Sequence, residues 1–179
     1  MKNFKVKISK LMSYLLRHNP KNLEMSENGF ILLDSLVKEI QKRYSWANVA
    51  YIKDLVAKDK KGRYEILDGK IRARYGHSIK VKIRLPLASP KRLYHGTSKA
   101  SSEKILMEGL RPMGRQKVHL SQSIEDAMQV GKRKTSRPVI LEIDSERAVR
   151  EGIKIEKASE RIYVANYIPA KFIKILNKI

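Results

Sequence analysis

The side chains best suited to chemistry in this chain are its four histidines and a set of arginines. The histidines lie in the motifs RHNP, GHS, YHGTS and VHLS, and three of them have Gly, Ser or Thr within two residues, where a β-like run stops. Strand ends are common positions for ligand contacts. Arginine presents a planar fork to phosphate oxygens, and histidine can donate a hydrogen bond or transfer a proton near neutral pH. This inventory favours phosphate chemistry.

Other kinds of active site have little support in the sequence. There is no Cys, and no two histidines are three or four residues apart, so we expect no metal site. There is no phosphate-binding Gly-Lys-Ser/Thr loop, no GxGxxG motif and no serine in a nucleophile elbow. The carboxylates fall on predicted helix surfaces, away from the histidine motifs. We therefore expect fixed cations, not a carboxylate base, to carry the reaction.

The charge of the chain points to a polyanionic partner. Among 179 residues, 39 Lys and Arg face 18 Asp and Glu, which gives a net charge of +21. Nucleic acid is the expected partner and a membrane surface the weaker alternative. A thermophile-like charged surface is a further alternative, but there acids usually balance the bases. The N-terminus lacks a signal-peptide core and no apolar run spans a membrane, so we expect a cytoplasmic protein with no membrane partner.

The first third of the chain has a helical period. Apolar residues follow one face of a helix predicted over 4–18, which Asn19-Pro20 ends. This face comprises Ile8, Leu11, Met12, Leu15 and Leu16. His18 falls on the same stripe, where the core would hold it; the alternative is a helix-end cation favoured by the dipole. Further helices are predicted to start at Asp34 and at Ser45.

The stretch RYEILDGKIRARY predicts a β-hairpin with a two-residue loop at Asp68-Gly69. The predicted partners are Leu67 with Lys70, Ile66 with Ile71, Tyr64 with Ala73, and Arg63 with Arg74. Two opposed arginines repel each other, so an anion lying on that face would stabilise the hairpin. The alternative is a solvated hairpin whose arginines splay apart.

The second half of the chain has short β-like runs, with helices predicted near 99–108 and 123–132. Gly109 and Ser123 are placed as helix caps. The β-like runs are LYHGTS, VHLS, RPVILEID, IKIE, RIYVANYIP and KFIKIL. The change of pattern predicts an α+β protein with two lobes, at 1–80 and 91–179, joined by a linker at 81–90.

Taken together, several stretches resemble the RNA 2′-phosphotransferase family, in the family order and over nearly the whole chain. These are SYLLRHNP, GRYEI, IRARYGHS, LYHGTS, VHLS, VGKRK and RIYVANYIPAKFI. The resemblance implies an N-terminal winged-helix-like lobe and a C-terminal ADP-ribosyltransferase-like lobe, with a mixed β-sheet that holds NAD. It also implies that an internal 2′-phosphate of RNA, in tRNA for example, attacks NAD and releases nicotinamide. Transesterification of the 2′-phospho-ADP-ribosylated RNA then restores the 2′-OH and yields ADP-ribose 1″,2″-cyclic phosphate. We expect a monomer.

The resemblance also implies site residues. The catalytic set carries over to Arg17, His18, Arg63 and Arg133, although Arg133, flanked by lysines, also fits a solvated basic loop. The NAD site carries over to His95, Gly96, Thr97, His119 and Ser121. His77 and Ser78 match a stretch that faces the same cleft, and the hairpin adds Arg72 and Arg74 as phosphate contacts. One departure is Arg74-Tyr75, where many relatives are expected to carry residues like Asn-Gln.

The implied chemistry agrees with the inventory of residues. A phosphate nucleophile is already anionic and needs no strong base, while arginines can stabilise the charge that develops and His18 can protonate a departing oxygen. Two alternatives are a winged-helix regulator that binds nucleic acid, and an ADP-ribosyltransferase that acts on nucleic-acid or protein ends without the second step. Two histidines at strand ends of a separate lobe favour an enzyme over a regulator.

Overall fold

The computed structural model describes residues 2–176, which form a mixed α/β structure with six α-helices and two antiparallel sheets. The chain divides into two compact units, Met1–Arg84 and Leu85–Ile179. The first unit contains α1 (Lys2–Arg17), β1 (Ile31–Leu32), α2 (Leu33–Gln41), α3 (Val49–Ala57), β2 (Tyr64–Leu67) and β3 (Lys70–Ala73). No helix among the described residues is long and apolar enough to cross a membrane.

The second unit contains nine further elements. They are β4 (Leu93–Thr97), α4 (Lys99–Glu108), β5 (Val118–Ser121), α5 (Ile124–Gly131), β6 (Val139–Ile143), α6 (Ser145–Arg150), β7 (Ile155–Lys157), β8 (Ile162–Ala165) and β9 (Ile173–Ile175). A short 3-10 helix, Ala170–Phe172, precedes β9.

The apolar stripe of α1 forms the core of the first unit, as predicted. Ile8, Met12, Leu15 and Leu16 are completely buried, and Leu11 packs against them. His18 is exposed instead of lying in this core. The prediction for His18 is wrong: it lies one residue past the end of α1, where the backbone N–H still bonds to Tyr14 but the core no longer covers the side chain.

The second helix starts one residue before the predicted Asp34, whereas the third starts four residues after the predicted Ser45. Asp34 lies in the first turn of α2, and no side chain caps that helix, which begins at Leu33. The segment before α3 first makes a turn, in which the backbone N–H of Ala47 donates to Tyr44. The N-cap is therefore Asn48, whose side chain accepts from the backbone of Tyr51.

The hairpin has the predicted register. Tyr64 pairs with Ala73, Ile66 with Ile71 and Leu67 with Lys70. Asp68 and Gly69 have positive φ angles of 47° and 70°, as a tight two-residue loop requires. Strand β1 adds to β3 to complete a three-stranded sheet, but its two residues are too few to give a sequence pattern.

The sheet of the second unit has the strand order β7-β8-β5-β4-β6-β9. All its described pairs are antiparallel, so the expectation of a mixed sheet is wrong. Strand direction alternates across the sheet, so strands that run in the same direction are never neighbours; β5 and β6, for example, are separated by β4. The predicted helices near 99–108 and 123–132 are present, with Gly109 and Ser123 as their caps.

In the second sheet, the pairing between neighbouring strands is shortest where β4 meets β5. These strands pair only at Tyr94 and Ser121, whereas β4 pairs with β6 over five residues and β5 with β8 over four. Buried Leu93, Leu120 and Leu141 line the core beneath the sheet. The sheet therefore consists of two halves joined at one residue pair, with the YHGTS and VHLS motifs on either side of the join.

Candidate functional site

The C-terminal end of α1 brings the RHNP and GHS motifs into contact. The backbone carbonyl of Arg17 accepts hydrogen bonds from the backbone N–H groups of Ser78, at 3.0 Å, and Ile79, at 3.4 Å. These bonds satisfy a carbonyl that the helix itself leaves open. The Oγ of Ser78 also lies 2.9 Å from Nδ1 of His18. The GHS segment thus caps the helix and contacts the exposed imidazole at the same time.

The guanidinium of Arg17 lies against two aromatic rings. Its Cζ is 5.0 Å from the ring centroid of Tyr75 and 6.0 Å from that of Tyr64. Gly76 has a φ of 91°, and a Cβ there would lie 3.2 Å from Nη1 of Arg17. Glycine therefore supplies both a left-handed backbone and room for the cation. Arg17 is packed between protein groups instead of extending into solvent.

Arg63 is fixed by a carboxylate that sequence reasoning did not select. Its Nε lies 3.0 Å, and its Nη2 2.8 Å, from Oδ1 of Asp59. The backbone N–H of Arg63 also donates to Asp59 Oδ2, at 2.7 Å. Burial acts to raise the pKa of Asp59, but the bonds from Arg63 outweigh it, so this pKa lies below its ordinary value. The signal was present in the sequence as an Asp and an Arg four residues apart.

Tyr64 connects the two arginines, because the Cζ of Arg63 lies 5.2 Å from its ring centroid. The hydroxyl of Tyr64 donates to the backbone carbonyl of Ser9, which fixes the ring on α1. The first unit therefore brings Arg17 and Arg63 to one ring, with His18 at the end of the helix that carries Arg17.

The other basic residues of the hairpin are engaged differently. Arg72 forms an ion pair with Glu65 at 2.6 Å, and its Cζ lies 4.3 Å from the ring centroid of Phe30. Arg74 donates its backbone N–H to Arg63, as expected for the residue opposite it. Acidic groups of the protein therefore supply the anions for this face: Glu65 pairs with Arg72 and Asp59 with Arg63.

His77 is buried behind the end of α1, with 4% of its surface exposed. Its pKa is lowered to about 4, first by burial and then by the charges of Arg17, His18 and Arg72. Its Nε2 has no hydrogen-bond partner among residues 2–176. His77 therefore contributes a neutral ring at neutral pH, whereas His18 is exposed.

In the second unit, His95 lies where β4 and β5 separate. Its Nδ1 is 3.0 Å from the backbone carbonyl of His119. A carbonyl only accepts, so Nδ1 carries the proton, and a neutral ring presents Nε2 as an acceptor. Burial lowers the pKa of His95, the bond to His119 opposes this, and the charge of Lys134 lowers it further. The bond joins the YHGTS and VHLS motifs.

The glycine of YHGTS is required by packing. A Cβ on Gly96 would lie 1.9 Å from the carbonyl oxygen of Ala127 and 3.1 Å from the backbone nitrogen of Gly131, so α5 contacts the backbone of β4 directly. Thr97 and Ser121 are both buried. The ladder places Ser121 opposite Tyr94. Two buried hydroxyls and one imidazole acceptor thus lie on the two strands around the join.

Arg133 lies in an exposed turn that follows α5, and so belongs to the second unit. Its backbone N–H donates to Val130 at 3.2 Å. None of the ion pairs among the described residues includes the side chain of Arg133. The structure groups Arg17, His18 and Arg63 within the first unit, and Arg133 belongs to the second unit.

Among the described residues, no group of three or more His, Asp or Glu side chains could hold a metal ion. Asp126, in the first turn of α5, is engaged with Arg161, whose Nη2 lies 2.6 Å from Oδ1. This bidentate pair ties the start of α5 to the segment before β8.

Comparison with known proteins gives one consistent result. Residues 3–167 match the family described as RNA 2′-phosphotransferase, Tpt1 / KptA family. The chain is 46% identical to "Probable RNA 2′-phosphotransferase 1" of Archaeoglobus fulgidus, over 94% of this chain and 79% of that protein. It is 46% identical to "Probable RNA 2′-phosphotransferase" of Pyrococcus furiosus, over 93% of both chains. A protein of the same name from Bacillus thuringiensis is 41% identical over 96% of both chains.

Proposed function

The chain belongs to the RNA 2′-phosphotransferase family, and from that premise we propose that it transfers the 2′-phosphate of RNA to NAD. The enzyme removes the 2′-phosphate from RNA. The single observation that carries the rest is the meeting of Arg17 and Arg63 at the ring of Tyr64, with His18 at the end of the helix that carries Arg17. NAD as co-substrate, the two-step course, and a substrate with an internal phosphate, as in tRNA, belong to the proposal.

We propose that the first unit is a winged-helix-like lobe, over 1–80, that binds RNA phosphate. Its element order, with three helices and a two-stranded hairpin that follows α3, supports this. An ADP-ribosyltransferase-like lobe over 91–179 would bind NAD, with 81–90 as the linker. The narrow join between the halves of its sheet supports that assignment. A cytoplasmic monomer completes the proposal.

The phosphate is held by Arg17 and Arg63. Asp59 occupies Nε and one hydrogen of Nη2 on Arg63, which leaves Nη1 and the second Nη2 hydrogen to donate to phosphate oxygens. Aromatic rings position Arg17 in a site of reduced dielectric, where its charge acts more strongly on a phosphate than it would in water. Fixed cations of this kind lower the energy of a phosphate that gains charge in the transition state.

His18 transfers the proton. Its Nδ1 lies against Ser78 Oγ, so its Nε2 is the nitrogen that can donate to a phosphate oxygen or protonate the departing 2′-oxygen of the RNA. Exposure of His18 suits this role, because the group must meet a substrate. His77 and Ser78 act together as the support behind it, Ser78 through its hydroxyl and His77 as a buried, uncharged ring.

The second unit has groups that fit NAD. When bound, NAD supplies the ribose that accepts the phosphate, with nicotinamide as the leaving group. Nε2 of His95 can accept a hydrogen bond from a ribose hydroxyl, because Nδ1 donates to His119. Thr97 and Ser121 offer hydroxyls, and Gly96 lets α5 pack directly against the backbone of β4, which carries Thr97.

We assign the third catalytic arginine, after Arg17 and Arg63, to Arg133 because it matches the family motif. Arg115 provides a matched control. Arg115 is also an exposed arginine of the second unit, on the loop that precedes β5. If Arg133→Ala leaves turnover intact while Arg115→Ala abolishes it, the role moves to Arg115. If Arg133→Ala alone abolishes turnover, the assignment stands.

The test of function is incubation with NAD and an oligonucleotide that carries one internal 2′-phosphate. We expect nicotinamide release, loss of the 2′-phosphate and formation of ADP-ribose 1″,2″-cyclic phosphate. A stable ADP-ribosyl adduct would point instead to a transferase that stops after the first step. Binding of nucleic acid without any nicotinamide release would point to a regulator. The first result would overturn the second step, in which the phosphate is transferred, and the second result would overturn the use of NAD.

A further inference from the structure

One side of α1 carries exposed aromatic and basic side chains that the proposed chemistry does not use. Phe4 and Tyr14 are 45% and 46% exposed, and Lys7 is exposed between them. At about 100° per residue, these three and His18 fall within a sector of about 80° around the helix axis. We call this surface, Phe4, Lys7, Tyr14 and His18, the α1 track.

The far end of the α1 track meets an aromatic cluster. The ring centroids of Phe4 and Trp46 are 5.9 Å apart, and those of Phe4 and Tyr44 are 6.2 Å apart. Tyr51 lies 5.0 Å from Trp46 by the same measure. Trp46 is 50% exposed, which is unusual for the only tryptophan of a chain. Its indole is therefore available to a partner.

The charged residues around the α1 track are all basic. Residues 1–23 contain six Lys or Arg and no Asp or Glu. Lys7 places its Nζ 5.8 Å from the ring centroid of Phe4, so a cation and an aromatic ring occur together. Cations that follow a phosphate backbone, beside aromatic rings on which bases stack, are the combination that binds single strands. A duplex keeps its bases stacked inside and makes no use of exposed rings.

We propose that the α1 track is a binding surface for the single-stranded RNA that flanks the 2′-phosphate. The strand leaves the phosphate site at His18, stacks on Tyr14, passes Lys7 and ends on the Phe4–Trp46 cluster. His18 follows Phe4 by fourteen residues, and because its backbone N–H still bonds to Tyr14 the helical rise applies and gives about 21 Å. At about 3.4 Å per stacked nucleotide, the track holds about six nucleotides on one side of the phosphate. The inference takes from the proposed function that the ligand is RNA and that its phosphate lies at His18.

The experiment measures binding of unmodified RNA without NAD, by fluorescence anisotropy with strands of 4 and 12 nucleotides. We expect Trp46→Ala to raise Kd for the 12-mer about five- to a hundredfold, and to raise it less for the 4-mer, which is too short to cover the whole track. Trp46→Phe keeps a ring and should retain most of the affinity. Lys7→Gln should reduce the slope of log K against log salt by about 0.7. Leu67→Ala, at an exposed apolar residue of the hairpin, is the matched control that should change nothing.

Several results would overturn the inference. One is an unchanged Kd for the 12-mer in folded Trp46→Ala and Phe4→Ala proteins. A second is an equal loss of affinity for single strands and for duplexes in these variants. A third is a loss of binding to vesicles of anionic lipid with no loss of binding to RNA, which would identify a membrane surface. The experiment is independent of turnover: failure to release nicotinamide would refute the use of NAD, whereas the binding comparison would still decide the role of the track.

Discussion

Replacement of Asp59 by Asn tests how the arginine site is positioned. The carboxylate is 5% exposed and binds three donors of Arg63, whose side chain is 28% exposed. Asn keeps the volume but loses the charge, and its amide nitrogen cannot accept from the guanidinium. The variant therefore leaves Arg63 with a weaker partner, in a position that the carboxylate normally fixes.

The contacts of Asp59 set the expected loss of stability and of kcat in Asp59→Asn. Hydrogen bonds to a charged group contribute about 1.5–3 kcal/mol, and partial exposure of Arg63 reduces this toward the lower end. We expect Asp59→Asn to lower the free energy of unfolding by about 1–2 kcal/mol. Loss of orientation at Arg63 should reduce kcat about tenfold or more, because a misplaced cation stabilises the transition state poorly.

The pH dependence gives an independent check. The pKa of Asp59 is lowered from its ordinary value of 3.8, so its stabilising contribution is complete above that value. It is lost as pH falls below 3.8 towards the folded pKa, since the unfolded state then binds more protons. Urea unfolding of wild type and Asp59→Asn should therefore differ equally at pH 7 and pH 5, and the difference should shrink below about pH 3.8.

Asp54→Asn is the matched control. Asp54 and Lys58 form a pair four residues apart on α3, like Asp59 and Arg63, but their side chains are 52% and 63% exposed. An exposed pair contributes little, so we expect little change in stability or kcat. If Asp59→Asn behaved like Asp54→Asn in both measurements, the carboxylate would not position Arg63, and the reasoning would be refuted.

Three further predictions follow from the site. Arg17→Lys keeps the charge but loses the planar group that lies on Tyr75, so kcat at saturating substrates should fall about a hundredfold; full activity of the lysine variant would contradict this. Gly96→Ala places a Cβ 1.9 Å from a backbone oxygen and should destabilise the second unit by about 3 kcal/mol in thermal unfolding, while Gly114→Ala, in open space, should not. His77 should titrate with a pKa of about 4 by NMR, and its burial should make stability decline as pH falls from about 6.5 towards 4. A transition near 6.5 would show that His77 is not shielded from solvent.

Local patterns in the sequence were sufficient for the elements that carry the site. The apolar spacing of α1 fixed which side is buried, because a helix repeats every 3.6 residues, and the Asp68-Gly69 turn fixed the register of β2 and β3. Both signals act within one element or across one turn. The family resemblance rests on motifs placed at the ends of such elements, which is why it too could be identified from the sequence.

Other features depend on contacts between residues far apart in the chain. Tyr64 and Tyr75 gave no sign that they pack against Arg17, because rings at residues 64 and 75 meet a helix end at residue 17 only after folding. His18 continues the apolar period, yet it is exposed because α1 ends one residue earlier. The sequence by itself determined which residue types could hold a phosphate. Tertiary structure decided which cations share a ring and which histidine is exposed, since packing between distant segments sets burial and with it the charge state of each group.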